Sequence, residues 1–540
     1  MKINKKTKSN QKEAAIRFVL IFLALIPIIY IFYSMSTQIA ARMAEELTLS
    51  YTADSPIYWT VGRGMLQDFK PYEDFYETKP PGIFLLSALS FRLFDSAILS
   101  NILCFLCLIV IGVTPLLAVI CDLRKKTVPV LNRLTLILSA VLFGGMLMLY
   151  TQNRSGSAQV ESFGAAFGCI YLFLISRMDG QTTKLRSPIL WISSLFLMFS
   201  VMMKEPFVLV CCAAALLFIN TWKDLLKKLI LPLFAGGAAG VLLMLFTGTL
   251  IPYLQYHLPN MTGSHVGRYG SPITRGFDFK NILNDINIFS PGLMIALLIL
   301  AGVVFLLVCF QQLRSSQKAS LASGFVQIYH VAKLFLIAYV LVFSVALGGQ
   351  YYNHHYIFAV PIYMALFLYC IQNFRFSLTL GKNTVSLTAV LLCVCISCGA
   401  GAVMLPEYER SDTNTPQDLI EMHAQADYVD ALLDAAQVDR YQYLGFNGNV
   451  FYCFTEHMPL GPSFIQDSYN YTDLDSWFSS SLKEQLDQSQ IVIVSKIDAG
   501  LMNDYIIDYL DKNFSQTPWD EVKDLPPPYY FFDDIYFRNR

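Results

Sequence analysis

The sequence predicts a polytopic α-helical membrane protein carrying a soluble α/β domain at its C-terminal end. Three observations support this. Of 540 residues, 55% are hydrophobic and only 15% charged, whereas soluble proteins carry about 25% charged residues. Apolar stretches of bilayer-crossing length recur through residues 1–404, and the short loops between them alternate between basic and non-basic. Residues 405–540 then change character, with roughly two dozen acids against about eight bases.

Stretches of about 18 or more apolar residues read as spanning helices, and about eleven are found. They lie at 17–35, 97–121, 132–150, 160–177, 187–203, 206–221, 229–251, 288–310, 328–348, 355–372 and 383–404. The run 206–221 is short and is expected to pair tightly with its predecessor. Residues 82–95 are apolar but too short to span, which predicts an interfacial helix. Lys2, Lys5, Lys6, Lys8 and Lys12 precede the first span, and every second loop is again basic, as at Arg124–Lys126 and Lys223–Lys228. The positive-inside rule puts these loops in the cytoplasm. Loop 36–81 and the tail after residue 404 are therefore expected outside. The first span also fits a cleaved signal peptide, with small residues near Ala40-Ala41; its length and Tyr-rich end favour an uncleaved helix.

In the tail, helical patterns at 417–437 and 498–513 alternate with strand-like runs at Tyr441–Phe446 and Ile491–Ser495. The expected division is a membrane domain over 1–404 and an extracytoplasmic α/β domain over 405–540. The chain has 12 cysteines, nearly all of them inside apolar runs, where they act as small hydrophobes. Neither a disulfide framework nor a zinc-finger spacing can be read. A basic nucleic-acid footprint is absent from the sequence, as are a phosphate-cradling glycine loop, a Ser-His-Asp constellation and an HExxH motif.

Loop 36–81 is unusually polar for such a chain. Asp54-Ser55-Pro56 follows the first span, and Glu77-Thr78-Lys79-Pro80-Pro81-Gly82 closes the loop. Asp54 suits a general base, because a carboxylate can take a proton as charge develops on an attacking hydroxyl. It equally suits the N-cap of a helix starting at Pro56. Lys79 is held extended by two prolines, either as a phosphate-facing cation or as an ordinary snorkelling lysine. Glu77 beside it could hold a metal or orient an acceptor. Glu161 enters the fourth span at its outer end, where a carboxylate is costly. Lys204 lies on the outer side against the charge rule, which an anionic ligand would explain. Gly348-Gly349-Gln350-Tyr351-Tyr352-Asn353-His354-His355-Tyr356 crowds one outer turn with aromatics and histidines, either as an interfacial aromatic belt or as site lining. Adjacent histidines do not by themselves make a metal site, because neighbouring side chains diverge.

These pieces, in this order, resemble GT-C glycosyltransferases, and most nearly the protein-mannosyltransferase and aminoarabinose-transferase branch. The resemblance covers about the first 400 residues through a few short motifs. It implies an inverting hexosyl or pentosyl transferase that takes sugar from a polyprenyl phosphate and passes it to an extracytoplasmic lipid, glycan or protein. It also implies an essential acid at Asp54, phosphate contact by Lys79 and Lys204, and a site lined by Glu77, Glu161, Tyr352 and His355. Ser55 stands where relatives often carry a second acid, and Thr78 where the aminoarabinose branch carries an acid. The Ser55 departure favours a single base over a carboxylate pair on a metal, and at Thr78 the acid is instead Glu77, one residue earlier. A divalent cation is compatible with the pattern, but no ligand set is legible. The expected setting is a multi-pass protein of a bacterial inner membrane. A lipid-linked glycan transporter or flippase, or a glycan polymerase or ligase, are the alternatives. A transporter would carry its charges near helix centres; here they gather at helix ends.

Overall fold

The computed structural model describes residues 54–125, 130–152, 154, 158–262, 321–347, 353–373, 377–380, 383–386, 416–445, 451–464, 477–495, 504–517 and 534–539, with a few positions between 33 and 44. Tyr352, the spans expected at 17–35 and 288–310 and nearly all of that at 383–404 fall outside the described residues, as does most of the loop 252–287.

Helix α1 (Ser55–Leu66) starts on Pro56 in its first turn, and α2 (Pro81–Phe94) starts on Pro81. Proline is at home there, because the first turn has no intrahelical partner for its missing N–H. Residues 67–80 reverse the chain between the two helices through Tyr72, whose N–H donates to the Phe75 carbonyl at 2.8 Å. Tyr72 and Phe75 are fully buried, so this polar-looking loop has its own core.

Helix α3 (Ile98–Lys125) and α4 (Val130–Gln152) form an antiparallel pair. A Cβ added at Gly144 would lie 1.9 Å from the Gly112 carbonyl oxygen, so only glycine permits this approach. Helix α5 (Val160–Arg177) runs through the middle, against α3, α6 (Pro188–Met203) and α7 (Phe207–Ala215). Helix α6 has 16 residues, and α7 has nine with a three-residue 3₁₀ turn at Leu216–Phe218. Helix α8 (Trp222–Phe246) opens with a Thr221–Asp224 capping box and contains a π turn at Leu226–Ile230. A short helical run over 250–260 follows, then α9 (Leu321–Ala346), a 3₁₀ turn at Asn353–Phe358 and α10 (Ala359–Asn373).

Among the described residues four helical stretches are long and apolar enough to cross a membrane: Ile98–Arg124, Val160–Arg177, Trp222–Phe246 and His354–Gln372. Shorter apolar helices stand at the expected spans 132–150, 187–203, 206–221 and 328–348. The expected eleventh span needs correction at its start. Residues 383–386 form strand β2 (Asn383–Ser386), antiparallel to β1 (Ser377–Leu380). Asn383, Thr384 and Ser386 are too polar to open a lipid-facing helix, and the β-branched Thr384 and Val385 suit a strand.

In the tail, α11 (Pro416–Ala436), α12 (Trp477–Gln488) and α13 (Asp504–Asn513) accompany a five-stranded mixed sheet. Its strands are β3 (Arg440–Leu444), β4 (Met458–Pro459), β5 (Ile491–Val494), β6 (Phe514–Thr517) and β7 (Asp534–Arg538), in the order β4-β3-β5-β7-β6. Strand β3 is parallel to β4 and β5, while β7 runs antiparallel to β5 and β6. This unit leans on the loop between α1 and α2. Arg63 donates to the carbonyls of Cys453 and Thr455 at 2.8 Å each, and the Tyr76 N–H donates to the Pro462 carbonyl.

Candidate active site

Five chain segments bring their charged residues to one place. Asp54 stands at the start of α1, and Glu77 and Lys79 lie just before α2. Gln159 and Glu161 open α5, Lys204 sits in the α6–α7 turn, and His354 and His355 begin the 3₁₀ turn ahead of α10.

Gln159 is the hinge of this network. Its side-chain amide donates to Glu161 Oε2 at 3.0 Å and reaches Asp54 Oδ2 at 3.4 Å. The Tyr58 hydroxyl donates to the same Asp54 oxygen at 3.3 Å. On one flank Lys79 Nζ pairs with Glu77 Oε1 at 3.2 Å and lies 5.8 Å from the centre of the Tyr58 ring. On the other, Lys204 Nζ pairs closely with Glu161 Oε1, and His354 Nε2 lies 3.7 Å from that oxygen. The His354 and His355 rings meet edge to face at 4.7 Å, and His355 stacks on Phe358. One ligand atom from each of Glu161, His354 and His355 can be chosen so that all three lie within 4.8 Å of one another.

Glu161 is fully buried, Glu77 and His355 are buried, and the Lys79 and Lys204 side chains are nearly so. Burial pushes the Asp54 carboxyl up, yet the charges of Lys79, His354 and Lys204 outweigh burial and the opposing Glu161, and leave it below the ordinary value. Burial lowers Lys79, but the oxygens of Tyr58, Glu77, Asp54 and Glu161 around it hold its ammonium well above the usual range. Both groups therefore stay ionised at neutral pH. Burying ions is costly even when they are paired, so a cluster of this kind marks a working site more often than a stabilising one.

A solved structure resembles the chain. The crystal structure of ArnT from Cupriavidus metallidurans bound to undecaprenyl phosphate is similar over 94% of this chain and 97% of that one, with 10% identity and a TM-score of 0.49. No protein-family model and no curated protein matches the sequence.

The candidates taken from the sequence fare differently. Asp54, Glu77, Lys79, Glu161, Lys204 and His355 come together; Tyr352 lies outside the described residues. Asp54 does occupy the N-cap position, but its side chain makes no capping bond. The reason is local: its backbone is already helical (φ −87°, ψ −37°), whereas a capping side chain needs an extended backbone. Its carboxylate turns instead to Tyr58 and Gln159.

The expectation that the two histidines diverge is corrected. The 3₁₀ turn brings both toward Glu161, with His354, which the resemblance did not single out, within ion-pair distance of it. Sequence reasoning also missed Gln159, whose one signal was a polar side chain two residues before an intramembrane acid. It missed Glu205, the residue after Lys204. Glu205 accepts from the Tyr253 hydroxyl at 3.1 Å and pairs with His257 Nε2 at 3.0 Å. The His257 ring packs on Tyr72, whose hydroxyl donates to the Lys79 carbonyl at 2.8 Å. A second, partly buried chain of contacts thus runs from the residue after Lys204 to Lys79 itself.

Proposed function

We propose that this chain is a membrane glycosyltransferase that moves a sugar from a polyprenyl-phosphate donor to a hydroxyl acceptor, with inversion at the anomeric carbon. The observation that carries this reading is the meeting of one carboxylate unused for capping, Asp54, with two nearly buried lysines, Lys79 and Lys204, among membrane helices.

The arrangement suits the chemistry as follows. An acceptor hydroxyl attacks the anomeric carbon from the face opposite the phosphate, and Asp54 takes its proton as the new C–O bond forms. The bond from carbon to phosphate oxygen breaks, and Lys79 and Lys204 stabilise the negative charge gathering on the leaving phosphate. Tyr58 and Gln159 hold the carboxylate, while Glu77 and Glu161 fix the two ammonium groups. The polyprenyl chain stays in the bilayer alongside. Acceptor class and hexosyl or pentosyl choice are to be read from a substrate panel.

The test is release of polyprenyl phosphate from a panel of polyprenyl-phosphate sugars by protein purified into lipid, with Asp54→Asn in parallel. Parent turnover, reduced about 10²–10⁴-fold in the variant with donor binding retained, is the expected result for a lost general base. Donors bound but left intact by the parent across all acceptors would overturn the reading in favour of transport.

A further inference from the structure

We propose that Glu161, His354 and His355 form a binding site for one borderline transition-metal cation of the Zn²⁺ type, placed to hold a donor phosphate oxygen. The phosphate part of this proposal rests on the transferase reading; the ligation does not.

The first argument is the donor set. Two imidazoles and one carboxylate converge from two separate elements, with one ligand atom of each within a 4.8 Å circle. A tetrahedral Zn²⁺ with bonds of ~2.0–2.2 Å needs ligand atoms about 3.3–3.6 Å apart, so small side-chain rotations close the site. Two histidines and a glutamate with a fourth position open is the pattern of a zinc ion that accepts an exogenous ligand. Imidazole donors select Zn²⁺, Co²⁺ or Ni²⁺ over Mg²⁺ and Ca²⁺, which prefer all-oxygen surroundings.

The second argument is charge. The linked network holds three carboxylates (Asp54, Glu77, Glu161) and two ammonium groups (Lys79, Lys204), a sum of −1 with neutral histidines. A phosphate-linked donor is itself anionic, and a buried site of like sign repels it. One divalent cation turns the sum to +1, which complements the donor and strengthens as the leaving phosphate gains charge.

Lys204 already touches Glu161 Oε1, but a carboxylate oxygen has more than one lone pair, and Oε2 accepts only from Gln159 among the bonds described. Gln159 would then orient the ligating carboxylate, as outer partners of metal ligands do, while Lys204 competes with the ion for the same carboxylate.

The experiment uses the full chain in lipid nanodiscs, stripped with a chelator and titrated with Co²⁺ or Zn²⁺, with no donor present. Expected are about one ion per chain and the visible absorption of four-coordinate Co²⁺. His354→Ala and His355→Ala should each weaken binding by more than the roughly 10–100-fold typical of an outer partner. Lys204→Met keeps all three ligands and removes a competing cation, so it should bind more tightly. His457→Ala, at a separate histidine–aspartate pair in the tail, should bind as the parent does. Failure of both the parent and Lys204→Met to bind overturns the proposal, as does binding that survives loss of both histidines. A protein that turns over donor but binds no ion sinks the metal and keeps the transferase; the reverse result does the opposite.

Discussion

Gly82→Ala tests whether the spacing of the two lysines is set by packing rather than by their own charges. Gly82 follows Lys79 by three residues and lies against the end of α6, two residues before Lys204. A Cβ there would sit 2.5 Å from the Met202 carbonyl oxygen and 2.8 Å from its carbon, both of them backbone atoms that cannot rotate away. Ordinary contact begins near 3.4 Å, so α2 and α6 must separate by roughly 0.9 Å. Overpacking of this kind costs about 1–3 kcal/mol. Replacing glycine in a helix returns about 0.5–1 kcal/mol, so the net loss of stability is small and the protein folds. Catalysis should suffer more, because a misplacement of ~1 Å in a positioned group costs about 10²-fold. Single-turnover release of polyprenyl phosphate, beside thermal unfolding in the same lipid, separates the two effects. A rate within about 3-fold of the parent would refute the claim that this contact sets the distance between Lys79 and Lys204.

Two further outcomes follow from the same geometry. Lys204→Met strands the fully buried Glu161 and should cost about 3–5 kcal/mol, while adding Glu161→Gln should recover most of it. A double-mutant cycle of denaturation midpoints with no coupling would show that the pair is not formed. Asp54 has its native pKa depressed, so its stabilising contribution is complete above the unfolded value of about 3.9 and fades as pH falls through the lower native value. Lys79 is raised, so its contribution is complete below about 10.4 and is lost only as pH climbs through the higher native value. The acid limb of kcat/KM assigned to Asp54 should therefore lie below pH 3.8. A limb centred above about pH 5, and absent in Asp54→Asn, would contradict the surrounding cations.

Individual site residues were legible where they broke a rule of their surroundings. Asp54 and Lys79 stood in a polar loop beside apolar helices, Glu161 entered a span, and Lys204 violated the charge bias. Their partnerships were not legible. Glu161 and Lys204 are separated by a whole hairpin of membrane helix, and nothing in either segment encodes the other. Gln159 looks like any polar residue at a helix start until α5 is placed against α1. The rule that neighbouring side chains diverge describes regular helices and strands; the Asn353–Phe358 turn is neither. Glu205 and His257 meet only because α8 returns the chain to the same end of the bundle. Among the described residues helix positions followed the apolar runs, except at 383–386, where composition averaged over a long window concealed a four-residue strand.

Helix lengths carry a consequence for where the chemistry happens. At about 1.5 Å per residue, α6 is roughly 24 Å long, and α7 with its 3₁₀ turn is shorter still. The hydrocarbon slab is about 30 Å thick. With Lys184, Arg186 and Lys223 at one face, as the charge rule expects, these helices would reach the Lys204 turn about 6 Å or more before the slab ends. The ammonium would then sit below the headgroups, and a lipid phosphate would have to descend to meet it or the bilayer thin around it. Membrane thickness thereby becomes a variable of the reaction, by the mismatch energy that sorts proteins among membranes. Turnover should climb in shorter-chain lipids and fall in longer ones, with no change to any side chain; a rate indifferent to chain length would place Lys204 at the surface instead.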